Sequence, residues 1–128
     1  MQWNIEYIES QNYVRIHGAG VFDVKIHSAV YEDLIARPFW KWGTSLMFDN
    51  LNVDFGQSDI ETMRKASRNY KKFAAVLGAC KMALLMKSSV DFGRGRQFEI
   101  LAETDDGCRI RSFRDEAAAL VWLGKIEK

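Results

Sequence analysis

Several scarcities restrict what this sequence can be. Proline occurs once, and histidine and cysteine only twice each. His17 and His27 have no ligand partner nearby in sequence, and no Cys-x-x-Cys is present. A metal site, a redox pair or a bound cofactor is therefore not expected. An excess of one charge is also missing: 18 lysines and arginines face 17 aspartates and glutamates, for a net charge of +1. Dedicated nucleic-acid binders usually carry a strongly basic domain, so a nucleic-acid partner is not expected. Long apolar runs are lacking, since charged residues interrupt them, and no segment is expected to span a bilayer. The opening "MQWNIEYIES" has no basic stretch followed by an apolar one, so no secretory signal is read there. The expectation is a cytoplasmic protein whose two cysteines are reduced thiols.

What is present is material for a core. The chain has 128 residues, 48% hydrophobic and 12% aromatic, which suits a single domain over residues 1–128. A domain of this size buries roughly 65–70% of its unfolded surface and needs no cross-link to fold.

"QWNIEYI" alternates Trp3, Ile5 and Tyr7 with polar residues, and "YVRIHG" alternates again after the turn "SQN". Two strands so closely joined predict an antiparallel hairpin. The period then lengthens. In "DVKIHSAVYEDLIAR", Ile26, Val30 and Leu34 predict one stripe of a helix capped by Asp23 and ended by Pro38. "SLMFDNLNV" predicts a buried third strand. "SDIETMRKASRNYKKFAAVLG" predicts a helix from Ser58 to Leu77, opened by Ser58 with Glu61 at the capping-box spacing and closed at Gly78. "KMALLM" and "CRIRSF" predict two more strands. "VDFGRGRQFEILAE" predicts a helix capped by Ser88 or Ser89. "DEAAALVWLGKI" predicts a last helix, capped by Asp115, with Ala119, Trp122, Leu123 and Ile126 on its stripe.

The order is ββαβαβαβα. It predicts an α/β fold with a five-stranded, mostly parallel sheet, an N-terminal antiparallel hairpin and four helices. The expected core includes Ile16, Leu34, Leu46, Tyr70, Phe98, Leu101, Ile110 and Leu120.

Three stretches carry a family resemblance that covers nearly the whole chain. "FRDEAAALVWL" resembles the ending of the SpoIIAA-like proteins, which belong with the STAS domains (sulfate transporters and anti-sigma-factor antagonists). "RPFWKWGTSLMFD" resembles that family's Pro-x-Trp-x-x-Gly segment, and "DFGRGRQFEILAE" resembles its Phe-Gly helix start. The resemblance implies a fold similar to lipid-binding CRAL-TRIO domains. It also implies a non-enzymatic domain that binds proteins, nucleotides or lipids. Family members with a switch role carry an Asp-Ser pair at the start of the helix after the third strand, where a partner kinase phosphorylates the serine. Here Asp49 ends the strand, and the next serine, Ser58, follows a longer loop with no aspartate before it.

Three sets of residues are candidates for contact. Ser58 is either a phosphoacceptor at a helix N-terminus or simply the helix cap. Behind it, Arg64, Lys65, Arg68, Lys71 and Lys72 gather on the side of the helix opposite Ile60, Met63, Ala66 and Tyr70. They form either a solvated face or a docking face for an unknown protein partner or anionic lipid. In the loop "ARPFWKWGTS", Arg37, Phe39, Trp40, Lys41 and Trp42 either pack onto the domain or contact a membrane surface. The second reading would place the protein peripherally on the inner face of the membrane. An apolar-ligand cavity between the sheet and a movable last helix belongs to the same alternative. The exposed rings also suggest homodimerisation. Finally, the glycines of "DFGRGR" either allow close packing or frame an anion site with Ser89, Arg94 and Arg96. No nucleophile with an evident base is found, and no enzymatic activity is expected.

Overall fold

The structure is a computed structural model. It describes residues 1–56 and 58–125. Five strands run through it: β1 Gln2–Ile8, β2 Tyr13–Val21, β3 Ser45–Asp54, β4 Lys81–Leu85 and β5 Arg109–Phe113. Five α-helices join them: α1 Val24–Ile35, α2 Ile60–Lys71, α3 Ala74–Leu77, α4 Ser89–Ala102 and α5 Glu116–Trp122. The sheet order is β1-β2-β3-β4-β5. β1 pairs antiparallel with β2, and all later neighbours pair in parallel. The expected α/β architecture is the observed one.

The hairpin turn is a short 3-10 segment, Glu9–Gln11, ended by Asn12 at φ 52°. Asparagine tolerates that left-handed geometry better than most residues. The Tyr7 hydroxyl donates to its Oδ1 over 2.8 Å.

Alternation along the strands divides the protein into two layers about the sheet. One face carries Ile5, Val14, Ile16, Leu46, Phe48, Met82 and Leu84, packed against α1 to α4. The other carries Tyr13, Met47, Ala83, Leu85 and Phe113, packed against α5 alone. Of the core residues expected above, Leu101 and Ile110 are partly buried at its margin and the rest are buried. Beside the start of α5, charge covers the sheet. Arg15 pairs with Asp49 at 2.9 Å and with Glu116, and His17 Nε2 lies 2.9 Å from Glu6. Burial disfavours the Arg15 charge, but hydrogen bonds to Asp49 and Glu116 outweigh it and raise its pKa above the ordinary value.

The helices correct several sequence readings. The helix expected from Ser58 to Leu77 is two helices. Phe73 sits between them at φ −109° and ψ −4°, and the turn tightens there through Lys72 N–H to Asn69 O and Phe73 N–H to Tyr70 O. The break lets Phe73 stack on Tyr31, with ring centroids 5.6 Å apart. Asp59, not Ser58, caps α2, accepting from the Thr62 N–H at 2.9 Å. Ser58 instead donates its own N–H to Phe55 O, and Glu61 pairs with Arg64 rather than completing a capping box. On α1 the expected Val30 and Leu34 are buried, Tyr31 joins them, and Ile26 is only half-buried. Asp23, Ser88 and Asp115 cap α1, α4 and α5. Ile126, expected on the α5 stripe, lies outside the described residues.

The cysteines are a further correction. Cys80 and Cys108 form a disulfide, with Cα atoms 4.5 Å apart. Each immediately precedes its strand, and Lys81 pairs with Arg109 as β4 and β5 begin. Parallel pairing therefore sets the two thiols side by side. The expectation of reduced thiols is thereby overturned, and since disulfides are rare in cytoplasmic proteins the bond does not favour the cytoplasmic expectation. Among the described residues, no helix is long and apolar enough to cross a membrane.

Candidate functional site

The basic side of α2 is a true surface feature. Met63, Ala66, Ser67 and Tyr70 turn inward, and Lys65, Arg68, Lys71 and Lys72 are exposed. Arg64, expected to join them, is hydrogen-bonded to Glu61 at i−3. Among the described residues, the other four cations have no carboxylate within ion-pairing distance. Ser58 stands apart from this face. Its carbonyl accepts from Arg94 Nε at 3.1 Å, which ties the loop before α2 to α4.

The 37–42 loop is largely seated on the domain. Arg37 bonds Asp33, which also accepts from the Trp3 indole at 3.3 Å. The hydrogen bond from Arg37 is the main reason the Asp33 carboxyl is held below its usual pKa. Phe39 stacks on Tyr7 at 4.9 Å with the rings nearly parallel. Trp40 packs against the main core. Trp42 donates its indole N–H to Ala75 O at 3.0 Å and is still 66% exposed. Lys41 is exposed, and its carbonyl accepts from Thr44.

The start of α4 divides between its two readings. A Cβ on Gly95 would stand 2.5 Å from Ser112 Oγ, so that glycine permits close helix–sheet contact. Gly93 has nothing within 4 Å of such a Cβ, and the packing does not explain it. The side chains named for anion binding face different partners. Ser89 accepts from Arg114, Arg94 pairs with Asp91 at 2.9 Å, and Arg96 pairs with Glu99 at 3.3 Å.

A recess not foreseen from sequence lies between the sheet and α1, α2 and α4. Phe48, Asn50, Leu84 and Met86 form its floor, and His27, Tyr31, Met63, Ala66, Gly95 and Phe98 its walls. Its volume is about 30 Å³. His27 is the hub of an aromatic cluster, with Phe22, Tyr31, Phe48 and Phe98 at 5.3, 5.5, 5.6 and 6.3 Å. The Nδ1 of His27 and the hydroxyl of Tyr31 are buried and have no hydrogen-bond partner. Burial lowers the His27 pKa to about 4, so the ring is neutral at pH 7. Burial, with Tyr31's neighbour Tyr70, pushes the Tyr31 phenol far up. A helix stripe read as 27, 30, 31 and 34 would have pointed to both side chains. The cavity itself could not be read, because several elements build it.

Among the described residues, no group of three or more histidines, cysteines or acidic residues is placed to hold a metal ion.

No protein-family model and no curated protein matches the sequence. Among solved structures, the chain is similar to the crystal structure of an uncharacterized protein of the DUF3478 family with a SpoIIAA-like fold, from Shewanella loihica. Identity is 15% and the TM-score 0.57, over 95% of this chain and 92% of that one. The fold is therefore SpoIIAA-like, as the sequence resemblance implied.

Proposed function

We propose that this STAS-like domain is a non-enzymatic regulatory module that docks an acidic segment of a protein partner on the outer side of α2. The supporting observation is the unneutralised row of Lys65, Arg68, Lys71 and Lys72 on one exposed face. Like charges gathered without counter-ions attract a negative surface and speed its encounter. Their mutual repulsion is relieved when that surface binds.

The rival reading, membrane association through the 37–42 loop, has less behind it. Phe39 and Trp40 are packed, Arg37 is paired, and only Trp42 and Lys41 remain for a lipid headgroup.

A glutamate-rich peptide, titrated by NMR, tests the docking reading. The expected shifts map to α2, weaken with salt, and fall in affinity by roughly tenfold or more in Arg68→Glu plus Lys72→Glu. Shifts that map elsewhere, or that the double substitution leaves intact, reject it. Co-sedimentation with phosphatidylglycerol vesicles that depends on Trp42 would favour the membrane reading instead.

A further inference from the structure

Buried hydrogen-bonding groups without partners are uncommon, because each loses its contacts with water and gains nothing in return. Two of them belong to side chains that line one recess here, on consecutive turns of one helix, and both atoms are closed off from solvent behind its wall. His27 and Tyr31 are at i and i+4 on α1, so both project to the same side, toward the sheet.

We propose that this recess binds a small, uncharged, mostly aromatic or apolar molecule bearing one hydroxyl or carbonyl group, which hydrogen-bonds to the Tyr31 hydroxyl and His27 Nδ1. The site is separate from the cationic face of α2 and does not depend on it.

The lining sets the class. Phe48, Phe98 and Met63 present rings and a thioether to the ligand body. The orphaned atoms ask for one polar group at the inner end. Asn50 adds a weakly engaged amide, since its Nδ2 donates to the Met86 sulfur, a poor acceptor, at 3.5 Å. Charge is disfavoured. His27 is neutral, and Arg94, the one cation among the described lining residues, is already paired with Asp91. A carboxylate driven to the inner end would lose its hydration without gaining a counter-charge.

Size is limited as well. The room of about 30 Å³ suits about two waters. A single ring must therefore displace solvent and press outward toward the mouth. Arg94 also lines the open groove beside the ends of β3 and β4, so it stands between that groove and the recess. Its bond to the Ser58 carbonyl, 3.1 Å long, is the contact that entry from that side must break.

Phenol, toluene and benzoate serve as probes, titrated against the protein with the aromatic resonances of His27 observed by NMR. Phenol should shift the His27 ring and bind about five- to tenfold more tightly than toluene, the value of one hydrogen bond to an otherwise unpaired group. Benzoate should bind most weakly. Tyr31→Phe removes only an unpartnered hydroxyl, so it should fold, and it should bring phenol and toluene within about twofold of each other. The proposal fails if toluene matches phenol in the wild-type protein, if benzoate binds best, or if the variant keeps the phenol preference. A crystal structure showing two ordered waters undisplaced at saturating phenol would equally overturn it.

Discussion

Trp42 lies against Gly78: a Cβ on that glycine would stand 2.3 Å from the indole ring. Gly78 also sits at φ 85°, where side chains are strained. Gly78→Ala should therefore cost about 1–3 kcal/mol, through backbone strain and displacement of the ring together. The Trp42 indole N–H signal, now fixed by the Ala75 carbonyl, should move toward that of free indole. Unchanged thermal stability with an unmoved indole signal would show that the contact is not made.

The two glycines of α4 should respond in opposite directions. Gly95→Ala meets Ser112 Oγ at 2.5 Å and should destabilise by about 1–3 kcal/mol. Gly93→Ala meets nothing and should stabilise by up to about 1 kcal/mol, because alanine is the better helix former. Urea unfolding of both variants checks the pair, and equal effects would contradict it.

The Cys80–Cys108 cross-link spans 28 residues and encloses β4 and α4. Closing a loop of that length in the unfolded chain stabilises by about 3–4 kcal/mol on the chain-entropy model. Cys80→Ala plus Cys108→Ala should lose about that much in chemical denaturation, and a reducing agent should leave the double variant unaffected. If reduction leaves the wild-type midpoint in place, the thiols are not joined in solution.

His27 links stability to pH. Its pKa falls from 6.5 to about 4 on folding, so between those values the unfolded chain holds a proton that the folded one refuses. The stability contributed by the neutral ring is present above pH 6.5 and lost as pH falls toward 4. Between pH 7 and pH 4.5 the wild-type protein should lose about 2 kcal/mol more than His27→Phe. Parallel losses in the two proteins would show that His27 is not enclosed as described.

The parts of the fold legible from sequence were those written in local periodicity. Alternation at Trp3, Ile5 and Tyr7 marked the hairpin, and Asp23 and Asp115 marked helix starts. What was misread depends on tertiary contact. Ser58 and Asp59 are both good caps, and the choice between them follows from Ser58's backbone bonds to Phe55 and Arg94. The break at Phe73 follows from its packing on Tyr31. The disulfide needed the register of β4 on β5. Of the candidate contact residues, the α2 cations were readable because a polar helix face keeps its period. His27 and Tyr31 were not, because each lies one residue beyond the expected stripe of Ile26, Val30 and Leu34 and their partners lie far away in sequence.

The strands lie in the sheet in the same succession as in the chain. Open α/β sheets commonly hold cargo in the crevice at the strand tips where that succession reverses. No reversal occurs here, so the architecture provides no such crevice. Routes for cargo that remain include a place beneath its helical layer and a grip from outside it. The first route leads to His27 and Tyr31, the second to the lysines and arginine of α2.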